Sequence, residues 1–295
     1  MSNKALASEV DSNIEALQTL IQLYSTRFSF LNDYLKETPE QPSFDVCMDP
    51  KETKEAENFM NEAELLLQQH AANTDDYKLY HKHDEDSIEY SKKQGNTTIY
   101  KLNHKVKNPD KYNYIISMLW NSNTKYFGDK IVKGINQIID QFNIRFTISN
   151  ISSLLFSIFY NIVFYLLVVK FQKVVRAYSP NLMMIQHRYK NDDISFHGYY
   201  YALAKKVQVS DDTTIIVYAS SDINDYNLGD ETKYKNTIVE SANLFRPTIN
   251  SEYDVISGKL TKMFVNLSGF IIQKKNDCVD ITYLNSVSNI KFLIT

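Results

Sequence analysis

The chain has 295 residues, 43% of them hydrophobic and 23% charged, which are the proportions of an ordinary globular protein. A net charge of −3 and a pI near 6.1 leave no basic footprint, so no nucleic-acid partner is expected. Cys47 and Cys278 are the two cysteines, too few for a disulfide framework, and a reduced, buried thiol is the expected state of each.

The first residues, MSNKALASEV, lack the apolar stretch of a signal peptide. Residues 8–36 read as an amphipathic helix, with Val10, Ile14, Leu17, Ile21 and Tyr24 at intervals of three and four. Residues 38–49, with Pro39 and Pro42, read as a linker. Asp49-Pro-Lys-Glu52 has the spacing of a capping box with proline at the first helical position. The helix it opens runs to about Ala72 and carries a stripe of Ala56, Met60, Ala63 and Leu67, with Phe59 and Leu66 beside it.

Short strands are expected over 77–82, 87–92 and 97–107, the last preceded by the turn Gly95-Asn96. Asn108-Pro-Asp then caps a second amphipathic helix, which ends at Trp120. Further strands are expected over 173–178, 182–190, 196–209, 213–220, 263–274 and 278–284. Consecutive strands with short turns indicate an antiparallel meander, and helices before a long antiparallel sheet make the fold α+β.

Residues 135–172 interrupt this pattern. Residues 146–169 carry no charge and are rich in Ile, Leu, Phe and Val, between Arg145 and Lys170. By length and polarity this is a membrane-span candidate. A single span would separate strands that one sheet must join. Three readings stand: translated non-coding sequence, an insertion packed on the surface, or a true span with the domain broken.

No nucleophile–base set, P-loop, dinucleotide fingerprint or zinc motif is present, so neither an enzyme nor a cofactor is expected. Asp222 and Asp225 read as a capped turn, and His81 and His83 as part of an exposed polar strand. Residues 182–190 are more informative. Leu182, Met184, Gln186 and Arg188 share one face, and Met183, Ile185, His187 and Tyr189 share the other. The arginine-bearing face suits a strand lining a cavity and suits an ordinary half-buried strand equally well.

Five runs carry a resemblance: NPDKYNYIISMLW from Asn108, KVVRAYSPNLMMIQHRYK from Lys173, SSDIND from Ser220, IVESAN from Ile238 and KMFVNL from Lys262. In this order they resemble the Plasmodium fam-a (PYST-A) family of rodent malaria parasites, whose members carry a START-like lipid-binding domain. The resemblance implies a START-like helix-grip fold: a curved antiparallel sheet with flanking helices, here preceded by an N-terminal helical arm. The arm and linker would occupy 1–49. The domain would occupy 50–295, interrupted at 135–172 and too short at its end for most of the C-terminal helix that covers the lipid tunnel.

The function implied is non-enzymatic binding and intermembrane transfer of one phospholipid, phosphatidylcholine, by a monomer in transient contact with membrane surfaces. Location would be the parasitophorous vacuole or host cell, although the family's usual signal peptide is missing. A phosphodiester wants an arginine fork, for which Arg188 is the candidate, with Met184 and Gln186 on its face. A choline wants aromatic faces, for which Tyr199, Tyr201 and Tyr218 are candidates. The alternatives are an exported host-interaction module with an inactive tunnel, or a defective gene product.

Overall fold

The computed structural model describes residues 45–73, 75–82, 85–121, 169–191, 196–229 and 233–288. The expected helix over 8–36, His83 and most of the apolar interruption lie outside them.

Helix α1 (Pro50–Ala72) opens as its sequence dictates: Asp49 is extended and its side chain accepts from the Lys51 amide at 2.8 Å. The reciprocal half of the expected capping box does not form. Glu52 instead accepts from Arg176 and from the Tyr178 hydroxyl, each at 2.8 Å, which ties the first turn of the helix to a distant strand. The expected stripe is buried: Ala56, Phe59, Met60, Ala63 and Leu67 are at most 1% exposed. Burying the larger of these is worth roughly 1.5–3 kcal/mol each.

The strands are β1 (Asp45–Val46), β2 (Lys78–Lys82), β3 (Ser87–Gln94), β4 (Thr97–Val106), β5 (Val169–Ser179), β6 (Leu182–Asn191), β7 (Phe196–Ser210), β8 (Thr213–Ala219), β9 (Thr261–Lys262), β10 (Phe264–Lys274) and β11 (Val279–Ser288). They form one sheet in the order β1-β5-β6-β7-β8-β10-β11-β4-β3-β2, with β9 pairing on β7. Neighbours are antiparallel except β1 on β5 and β9 on β7. The fold class is therefore α+β, a curved and mostly antiparallel sheet with few helices.

Three expectations change. The linker contains a strand: β1 adds to the edge of β5, and the Cys47 amide continues the pairing by donating to Ala177. Strand β5 begins at Val169, inside the expected interruption. The two thiols are free, and Cys47 is half-exposed rather than buried. The register also bears on the apolar segment. β2 to β4 precede it and β5 to β11 follow it, yet β4 pairs with β11 from Val106↔Val279 to Tyr100↔Asn285. A single crossing between α2 (Tyr112–Asn121) and β5 would divide one sheet between two sides of a bilayer. Among the described residues no helix is long and apolar enough to cross a membrane.

The sheet has an apolar core on each face. On one, α1 and the segment 221–260 pack on Met184, Tyr199, Tyr201, Leu203, Val217 and Leu267. On the other, Tyr112, Ile115 and Trp120 of α2 pack with Met183, Ile185, Tyr200, Ala202 and Ile216. Helix α2 follows a single 3-10 turn (Pro109–Lys111), capped by the Asn108 side chain on the Asp110 amide.

Candidate functional site

Among its described residues, segment 221–260 has little regular structure: a 3-10 turn (Ser241–Leu244) and a four-residue helix, α3 (Tyr253–Ile256). Polar side chains hold it to the α1 face. Asn236 is 2% exposed and fully used: it donates to Ser220 and Asn266 carbonyls and accepts from the Ile238 and Val239 amides. Glu62 of α1 accepts from the Glu240 and Ser241 amides at 3.0 and 2.9 Å; burial pushes its carboxyl up, but Ser241, by side chain and backbone, and the Glu240 amide together hold it low.

Five of the six expected site residues lie beneath this segment. Arg188 donates to Glu252 at 3.0 Å and to both carboxylate oxygens of Asp254, and its Nε donates to Gln186 at 3.1 Å. Gln186 donates to the Tyr201 hydroxyl at 2.7 Å and to Glu252 at 3.2 Å. Tyr201 meets Ser251, and Met184 is 0% exposed in the same core. Tyr199 donates to Asp225 at 2.7 Å and accepts from Asn227 at 2.7 Å. Lys173 joins the network through Glu252. Burial pushes the Asp254 carboxyl up, but Arg188 outweighs it and holds the group below the usual carboxylate range. The arginine fork that a phosphodiester would need is thus occupied by two carboxylates of the chain itself.

The sixth residue, Tyr218, lies on the opposite face, half-buried, its hydroxyl 3.4 Å from the Leu119 carbonyl of α2. The expected constellation is split by the sheet. Asp222 and Asp225 are also engaged, the first by Arg246 and the second by Tyr199 and Lys262. Asp225 also accepts from the Asn227 amide at 3.3 Å, the side-chain-to-backbone bond of a capped turn.

The residue that the site reading missed is His187. Pairing across β6 and β7 sets it beside Tyr200, and the two rings stack at 4.9 Å with planes 6° apart. Tyr189 flanks it at 6.3 Å. The signal was in the alternation: a histidine stands among Met183 and Ile185 on the face away from Arg188. His187 is 5% exposed, and its Nδ1 is buried without a hydrogen-bond partner among the described residues.

Similarity to solved structures is broad and shallow. Human StAR-related lipid transfer protein 5 aligns with 8% identity and a TM-score of 0.45, over 80% of this chain and 82% of that one. Human STARD10 aligns with 10% identity and a TM-score of 0.42, over 76% and 65%. A STAR-related lipid transfer protein fragment from Xanthomonas axonopodis gives 9% and 0.37, over 72% and 81%. No protein-family model and no curated protein sequence matches the chain.

Proposed function

We propose that this chain binds a lipid against the α2 face of its sheet and carries it between membranes, without catalysing a reaction. One observation carries the reading. The sheet is apolar on both faces; α1 and segment 221–260 close one, whereas among the described residues only the ten-residue α2 meets the other. A broad apolar face of this kind suits an acyl chain or a ring system. Exchange between bilayer and protein is feasible because both hosts are apolar, so the large cost of exposing the lipid to water nearly cancels.

The finer reading, phosphatidylcholine as the ligand in a fam-a-like START domain, rests on the sequence resemblance. It needs a different phosphate contact from Arg188, whose guanidinium is already engaged by Glu252 and Asp254. Native mass spectrometry of the full chain tests the coarse reading. A one-to-one lipid adduct is expected, released by organic solvent; a folded protein that stays empty after incubation with vesicles of phosphatidylcholine and cholesterol overturns it.

A second reading, an interaction module with an inactive site, draws on segment 221–260. Leu228, Leu244 and Tyr253 there are 80%, 84% and 75% exposed. The same experiment separates the two, since that reading predicts the empty protein.

A further inference from the structure

Among the described residues His187 is the histidine whose buried ring nitrogen has no hydrogen-bond partner. A buried polar atom without a partner is rare in a native protein, because it gives up its water and gains nothing in return. Here the ring is held firmly. Its face is covered by Tyr200 at 4.9 Å, and strand alternation directs it to the α2 face, away from the Arg188 network. Around it on that face Met183, Ile185 and Ala202 have no side-chain polar group, and Tyr189 and Tyr200, which do, meet the imidazole through their rings and give Nδ1 no hydrogen bond.

We infer that His187 Nδ1 is the polar contact for the bound lipid, taking an uncharged oxygen of the ligand: an ester carbonyl or a hydroxyl. The inference rests on the lipid-binding reading and deepens it. Burial pushes the imidazole pKa down to about 3, so near neutral pH the ring offers one N–H and one lone pair and no charge. A neutral imidazole can bond a carbonyl or a hydroxyl and lacks the charge that would favour a phosphate over them. It would set the depth at which the ligand's polar end stops, while the chains beyond it meet apolar side chains.

The two sources of such an oxygen are an acyl ester and a sterol hydroxyl. They are told apart by offering the full chain vesicles of diacyl phosphatidylcholine, of its dialkyl ether analogue, and of the ether lipid doped with cholesterol. Retained lipid is then quantified. His187→Phe keeps a ring to stack on Tyr200 and removes both nitrogens.

The wild type is expected to take the diacyl lipid, or the cholesterol, about fivefold or more over the plain ether lipid, the factor a single net hydrogen bond supplies. His187→Phe is expected to lose that preference while still taking up lipid. Its ligand-free melting temperature should be unchanged or higher, since an unpartnered atom has been removed. A 15N-histidine spectrum of the wild type should show a histidine Nδ1 resonance, assigned to His187 by its loss in the variant, that moves only with the preferred lipid.

Uptake without preference among the three mixtures overturns the inference and leaves lipid binding standing. So does a variant that keeps the wild-type preference, or a variant that unfolds with no Nδ1 shift in the wild type. A chain that takes lipid from no mixture overturns both.

Discussion

Arg188 shows how much a residue's role depends on what packs above its strand. From sequence it is a cation on a mixed face. In the fold it lies under Glu252 and Asp254, 20% exposed, with Gln186 holding its Nε. The substitution Arg188→Ala therefore acts on the fold: it leaves Glu252 and Asp254 facing each other with Lys173, paired to Glu252, as the remaining counter-charge. We expect a loss of about 1–3 kcal/mol in a denaturant titration, discounted from a fully buried pair because the carboxylates are about two-fifths exposed. The pH dependence follows from Asp254. Its folded pKa is depressed, so its stabilisation is present above the ordinary carboxylate pKa and is lost as pH falls through the folded value. Repeating the titration from pH 7 downwards, the gap between wild type and Arg188→Ala should narrow. A constant gap would mean that the ion pair contributes nothing. The alternation of residues 182–190 was legible in the sequence, and both faces were read correctly. Which face is covered was not, because Glu252 and Asp254 come some 60 residues later from a segment with almost no periodic pattern.

At the scale of elements, the legible parts are those with strong local chemistry. Asp49 and Asn108 cap helices where expected, and the stripe from Ala56 to Leu67 faces the core. The meander from β6 to β8 and the β10–β11 hairpin follow their alternation. Strands β1 and β9, each of two residues, carry no readable signal. The closest approach between elements is equally silent in sequence. At Gly269 in β10, an added Cβ would stand 2.4 Å from the Ile216 carbonyl of β8 and 2.9 Å from Leu67 of α1. Neither backbone nor helix can move without disturbing the core. Gly269→Ala should cost about 1–3 kcal/mol by overpacking, and the larger Gly269→Val more. Amide exchange should localise the damage to α1 and the β8–β10 pair; faster exchange elsewhere, with these protected, would contradict the packing described.

For the whole molecule, the sheet order explains why α+β was readable while the candidate site was not. Class follows from the kinds of element and their succession. A site follows from which face of which strand stays apolar after every long connection has been laid down. Here the described residues of 221–260 join α1 in covering one face, and the chain gives no hint of that beyond turn-forming residues and Asn236. The same topology predicts that β11 is indispensable. It stands between β10 and β4, so its removal cuts β2, β3 and β4 from the rest. A chain ending at Asp277 should show no cooperative melting transition; a cooperative one would mean that α1 alone can hold both parts together.

The pairing of β4 with β11 also sets a schedule. The partner of Val106 is Val279, about 170 residues further along the chain. At typical synthesis rates of ~5–20 residues per second, β4 waits roughly 9–35 s for its neighbour. During that interval the hairpins of β2, β3 and β4 have an open edge, with Tyr80 and Tyr100 ring against ring at 5.3 Å. An open strand edge is a template for any other extended chain nearby. Nascent copies on neighbouring ribosomes are the nearest source of one. Yield of soluble protein should therefore depend on translation speed and on holding chaperones more than on the stability of the finished sheet.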